Sequence, residues 1–205
     1  MTSASLRGRP AATSHAEIER AAFDLFAVRG FEATTLSAIA QEIGVSARTV
    51  TRYYVSKNDI PWGQFDRTLD QFRELLWAMP TELPLWDRVH RGVIAFNDFP
   101  PDASPSHRDR MALILGTPAL QAHAVLRYGQ WRSVIAEYVA EQRGLPVDAA
   151  LPRLVGHVSL ALAVDAYERW LAEPSGDGVR DPEGDRQLLL AFLGEAMDDL
   201  REFLT

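Results

Sequence analysis

The sequence predicts an all-α protein, with a small N-terminal helical domain followed by a larger helical one. Three observations predict this. Apolar residues recur at i, i+3, i+4 and i+7 in one segment after another. No run alternates apolar and polar residues as a half-buried strand would. From residue 60 onward, proline-rich breaks separate the periodic segments, and 205 residues with 47% hydrophobic content are enough for two helical domains.

The first 14 residues are expected to form a flexible basic arm, because a Ser/Ala/Thr-rich tail cannot pack a core. Arg7-Gly8-Arg9-Pro10 sits in that tail. Two arginines flanking a glycine, held extended by the following proline, resemble hooks that enter a narrow minor groove. The alternative is a tail with two incidental charges.

The first helix begins at Ser14 and Glu17, an S-x-x-E capping box, and carries Ile18, Ala21, Ala22, Leu25 and Phe26 on one face until Gly30 ends it. Leu36, Ile39, Ala40 and Ile43 mark a short second helix. Gly44 follows, where a tight turn between crossed helices wants positive φ. Ala40 is small enough to let the two helices cross closely. Ser46 then N-caps a third helix whose inward face holds Val50 and one edge of Tyr53 and Tyr54. Arg48, Thr49, Thr51 and Arg52 are left pointing outward. Residues 36–57 thus have the pattern of a helix-turn-helix, and DNA binding is the expected activity.

Gly30-Phe31, Thr34-Thr35, Ile39-Ala40, Gly44-Val45-Ser46, Thr49, Arg52-Tyr53-Tyr54 and Ser56-Lys57 are spaced matches over some forty residues. On them, the segment resembles the DNA-binding domain of the tetracycline-repressor (TetR) family of bacterial regulators, here spanning residues 15–60. The resemblance implies that Thr35, Tyr53 and Lys57 hold phosphates. It places Arg48, Thr49 and Thr51, with Ser46 and Arg52 beside them, on the groove-facing side. The chain departs from the family pattern at Thr51, where an aromatic residue is commoner, and at Arg48, where a small one often sits, so base preference does not transfer. Hydroxyl and ammonium donors suit phosphate oxygens, and Arg48 suits a guanine edge, a contact worth about 1–3 kcal/mol of discrimination.

Net charge is −7, which looks wrong for DNA binding until it is divided. Residues 1–60 hold seven basic residues against six acids, a net of +1, which leaves −8 for the rest. An acidic body discourages non-specific DNA binding and leaves the local basic surface to decide. The absence of cysteine excludes disulfides and thiolate catalysis. No apolar run reaches membrane-spanning length, so a cytoplasmic protein is expected. Twenty of the 21 basic residues are arginine, which reads as codon bias and not as chemistry.

Residues 61–205 are expected to form a ligand-binding and dimerisation domain. Ser56 and Asp59 can cap a helix that Pro61 interrupts, after which Phe65, Leu69, Phe72 and Leu76 continue on one face. Further helices are expected over 86–99, 107–116, 119–144, 148–172 and 185–203. Leu189, Phe192, Leu193, Ala196, Leu200 and Phe203 make a wide stripe, as do Leu151, Leu154, Val158, Ala161, Leu162 and Val164, with Gly156 and Ala166 as small residues. Stripes wider than one partner can cover suggest a four-helix homodimer interface; the alternative is burial within one chain. A dimer would also present two recognition helices to successive major grooves of a near-palindromic operator.

Between these ends, Met111 and Leu115 share one side of a helix with Ile114, while His123, Arg127 and Trp131 gather on the next. They are expected to line an apolar tunnel with a basic mouth, where Arg127, Arg132, Arg108 and Arg110 would meet an anionic head group. The bland alternative is a helical core with surface arginines. This segment, with residues 59–65 and Ala95-Phe96-Asn97, is similar to regulators found with mycofactocin biosynthesis in actinobacteria. That resemblance implies a long-chain fatty acyl-CoA effector, with Asn97 near the site. No G-x-S-x-G, H-E-x-x-H, P-loop or glycine-rich dinucleotide turn is present, so neither an enzyme nor a cofactor or metal site is expected. The expected function is a ligand-responsive repressor. The alternative is an all-helical binder or enzyme with a vestigial helix-turn-helix.

Overall fold

The computed structural model describes residues 13–174 and 181–204. Arg7 and Arg9 therefore lie outside the described residues. Among these residues there are nine α-helices, one 3-10 helix and no strand, as the all-α prediction requires. The chain divides into two compact units, residues 1–63 and residues 64–205.

In the N-terminal unit, α1 (His15–Arg29), α2 (Leu36–Glu42) and α3 (Ala47–Tyr53) are followed by the 3-10 helix Lys57–Trp62. Ile18, Ala22, Ile39, Val50 and Ile60 form a fully enclosed core, and Ala40 is buried at the α2–α3 crossing. Gly44 takes φ +68°, where a side chain would strain the turn. The α1 capping box forms by half. Ser14 Oγ accepts the Glu17 N–H at 3.2 Å, but the Glu17 carboxylate accepts the Thr13 hydroxyl at 2.9 Å instead of returning to the cap. The reciprocal box appears at the 3-10 helix, where Ser56 Oγ accepts from Asn58 N–H and Asp59 accepts from Ser56 N–H. Pro61 lies inside that short helix, and the chain restarts as α4 after Gly63.

The C-terminal unit holds α4 (Phe65–Trp77), α5 (Leu85–Phe96), α6 (His107–Gly116), α7 (Pro118–Arg143), α8 (Ala150–Ala172) and α9 (Pro182–Leu204). Leu69, Phe72 and Leu76 of α4 pack with Val89, Val93, Trp131, Ile135, Tyr138 and Met197. Trp131 stacks on Phe72 with ring centroids 5.4 Å apart. The stripe predicted on α8 and α9 proves to have two destinations. Leu189, Leu193 and Ala196 bury within the chain, as do Gly156 and Ala166. At Gly156, α7 comes so close that a Cβ would sit 2.8 Å from the Arg132 carbonyl oxygen. Gly156 and Ala166 therefore serve helix packing inside one chain. Leu151, Leu154 and Phe203 remain exposed.

Candidate nucleic-acid interface and ligand cleft

The N-terminal unit is built to hold α3 rigidly while leaving its outer face open. Ser46 Oγ accepts the Thr49 N–H at 3.1 Å and shares a proton with the Thr49 hydroxyl at 2.9 Å. Arg48, Thr51 and Arg52 are exposed, and Thr49 is half-buried. The Arg48 guanidinium makes no hydrogen bond among the described residues, and Arg52 only leans over the Tyr53 ring at 5.4 Å. Thr35 caps α2 by accepting from Ala38 N–H at 3.1 Å, which leaves its own proton to donate.

Two residues expected to hold phosphates have their donors directed inward. The Tyr53 hydroxyl donates to the Thr13 carbonyl at 2.5 Å. The Lys57 ammonium donates to the carbonyls of Phe31, Glu32 and Thr34 at 2.8, 3.0 and 3.1 Å, and sits 4.5 Å from the centre of the Phe31 ring. All three ammonium protons are used. A hydrogen bond from a charged donor is worth about 1.5–3 kcal/mol, so Lys57 acts first as a latch that ties the loop before α2 to the segment after α3.

In the C-terminal unit the predicted arginines do not converge. Arg127 meets Asp66 at 3.3 Å and lies over the Phe65 ring, Arg132 meets His157 Nδ1 at 3.0 Å, and Arg108 meets Asp185 at 3.0 Å. Each faces a different helix. Met111 and Trp131 are buried, while Leu115 and His123 are half-buried. The grouping read from helical spacing separates because spacing gives the face of one helix and not the neighbour across from it.

Asn97 and Arg108 do come together, at a cleft of about 340 Å³ between the end of α5, the start of α6 and the α8–α9 pair. Phe99, His107, Trp170, Asp185 and Arg186 complete its principal walls. Arg108 ties these elements together, since its guanidinium also donates to the carbonyls of Trp170, Leu171 and Glu173 at the end of α8. His107 stacks on Phe99 with ring centroids 4.0 Å apart, and its Nε2 is 2.7 Å from the Tyr167 hydroxyl. Burial, reinforced by Arg110, pushes the His107 pKa down to about 3, so the ring is neutral near pH 7. Burial also pushes the Tyr167 hydroxyl well above its ordinary range. The sequence marked His107 only as the start of the helix expected over 107–116. Tyr167, Trp170 and Asp185 carried no signal beyond helical periodicity.

A helical pair crossing over a small residue, with the exposed cations Arg48 and Arg52 on its outer face, defines a helix-turn-helix DNA-binding regulator; the second helical unit has its own cleft. Comparison with known proteins agrees. Residues 18–60 match the model of bacterial regulatory proteins of the tetR family, and residues 83–205 match the MftR C-terminal domain. The chain belongs to the tetR family of transcriptional regulators, whose members here are regulators and not enzymes. It is 39% identical over 168 residues to a Mycobacterium tuberculosis protein described as mycofactocin biosynthesis transcriptional regulator MftR, covering 82% of this chain and 85% of that one. It is 25% identical to the HTH-type transcriptional regulator TcmR of Streptomyces glaucescens, covering 96% and 86%. Among solved structures it resembles the Thermus thermophilus repressor FadR in complex with lauroyl-CoA, at 25% identity, 90% and 95% coverage and TM-score 0.51. It shares its fold with NalD of Pseudomonas aeruginosa, at 18% identity, 89% and 95% coverage and TM-score 0.56.

Proposed function

We propose that this regulator is a dimeric cytoplasmic repressor that leaves its operator when a long-chain acyl-CoA or similar apolar effector binds. The open outer face of α3 carries the DNA half of this reading. Arg48 reads a base edge, Thr49 and Thr51 offer methyl groups to thymine, and Thr35, Ser46 and Arg52 contact backbone phosphates. Arg7 and Arg9 add affinity from the arm. Tyr53 and Lys57 act by holding this surface in place.

The effector half is supported by the lauroyl-CoA bound to the Thermus repressor and by the placement of Arg127 and Arg132 on α7. Arg127 and Arg132 are the cations offered to an effector phosphate, with Met111, Leu115, His123 and Trp131 on the apolar side. Arg108 is held by Asp185 and three carbonyls, and belongs to the cleft. A ligand that favours one shape of the C-terminal unit would change the spacing of the two recognition helices, and only that difference in affinity releases DNA.

The exposed Leu151 and Leu154, with Val158 and Leu162 beside them on α8 and Phe203 on α9, supply the apolar surface for a second copy. An electrophoretic shift on the DNA upstream of its own gene, with and without oleoyl-CoA, tests the whole reading. A retarded band that oleoyl-CoA removes is expected. A band unmoved by oleoyl-CoA refutes the effector, and no band refutes the repressor.

A further inference from the structure

The α5–α6 cleft contains an acceptor whose identity the hydrogen-bond chain fixes. Asn97 Nδ2 donates to the Val93 carbonyl at 2.7 Å, which makes Asn97 Oδ1 the acceptor of the Tyr167 proton at 2.5 Å. Tyr167 has one proton and has given it away, so its oxygen can only accept from His107 Nε2. His107 is therefore the Nε2–H tautomer. Its Nδ1 is left with a bare lone pair and no hydrogen bond among the described residues, on a ring that forms part of the cleft wall.

The rest of the wall decides what could approach it. Phe99 and Trp170 flank His107 as roughly parallel rings, at interplanar angles of 23° and 28°, and Pro100, Pro101 and Leu189 extend the apolar surface. Both arginines in the wall are already neutralised. Arg108 is paired with Asp185, and Arg186 is paired with Asp98 at 2.5 Å and Glu183 at 2.6 Å. An anion would have to displace a carboxylate, whereas a neutral ring displaces nothing charged. At about 340 Å³ the cleft lies in the range of small-molecule sites. We infer that this cleft is a binding site, separate from the acyl-CoA effector, for a small neutral aromatic compound that donates an O–H or N–H to His107 Nδ1.

Equilibrium titration of the full-length protein, without DNA or acyl-CoA, tests this with 2-naphthol, naphthalene and 2-naphthoate. 2-Naphthol is expected to bind about tenfold more tightly than naphthalene, one good hydrogen bond's worth, and 2-naphthoate more weakly than 2-naphthol. His107→Phe keeps a ring in the wall and should bring the affinity for 2-naphthol down to that for naphthalene. Should that variant not fold, spectra of the wild-type protein carrying ¹⁵N-histidine give the answer. His107 Nδ1 should be unprotonated in the free protein, and its signal should move when 2-naphthol is added. The inference is overturned if no probe binds, if 2-naphthol and naphthalene bind alike, if 2-naphthoate binds best, or if Nδ1 carries the proton. None of these outcomes touches oleoyl-CoA release from DNA, which stands or falls by its own measurement.

Discussion

The outer face of α3 and the salt-bridged arginines of the C-terminal unit use the same side chain in opposite ways. On α3 the Arg48 guanidinium is exposed and has no partner among the described residues, and Arg52 leans over its neighbour's ring. In the C-terminal unit, Arg73, Arg108, Arg127, Arg169, Arg186 and Arg201 each sit against a carboxylate. The difference follows the division of charge, +1 over residues 1–60 and −8 beyond. A surface meant for phosphates keeps its cations unpaired, because a guanidinium already neutralised contributes little to counterion release. The acidic body, which should not attract DNA, neutralises these six cations internally. Lys57 is the exception that sharpens the contrast, a cation in the DNA-binding unit that has been committed to structure.

That exception supplies the largest expected effect. Lys57→Ala removes three hydrogen bonds from a charged donor and should destabilise the protein by about 2–4 kcal/mol, read by urea denaturation. The slope of DNA affinity against salt should hardly change. A slope reduced by about one with stability intact would return Lys57 to the phosphate-binding group and weaken the comparison. Next comes Arg48→Ala, expected to cost about 1–3 kcal/mol of preference for the operator over random DNA, with little loss of stability. Parallel binding curves on both DNAs will show whether the loss is selective.

Acid should then act on the C-terminal side of the comparison. His107 is held neutral in the folded chain at a pKa near 3 and regains its ordinary value of 6.5 on unfolding. Its contribution to stability is therefore complete above about pH 6.5 and is lost as pH falls towards 3. Burial also lowers the His90 pKa and adds in the same direction. Denaturation midpoints at pH 7 and pH 5 should show the fall, and His107→Phe should reduce it. The smallest effect belongs to Arg169→Ala. Its pair with Glu195 is largely exposed, so the loss should stay within about 1 kcal/mol by denaturation.

Much of this architecture was legible in the sequence because burial is periodic. Leu69, Phe72 and Leu76 fall on one face of α4 and are buried there, and Gly44 and Ser46 fix the turn and the start of α3 by local chemistry. Pairings across long separations were not legible. Lys57 meets carbonyls 23 to 26 residues earlier, and Arg108 meets Asp185 77 residues later. No local pattern distinguishes an arginine that will find a carboxylate from one that will not. For the same reason, the four arginines of the expected basic mouth looked convergent on two helical wheels, yet three of them reach different partners in the fold. The His107–Tyr167–Asn97 chain joins three helices and was equally invisible.

The central claim is that the unpaired outer face of α3 selects a DNA sequence. Fluorescence anisotropy of the full-length protein on its own upstream DNA and on random DNA of equal length, across a range of salt concentrations, tests it most directly. The upstream DNA should bind at least a hundredfold more tightly at physiological salt, and Arg48→Ala should bring the two curves closer together. Equal affinity for both DNAs, unchanged by Arg48→Ala, would contradict it.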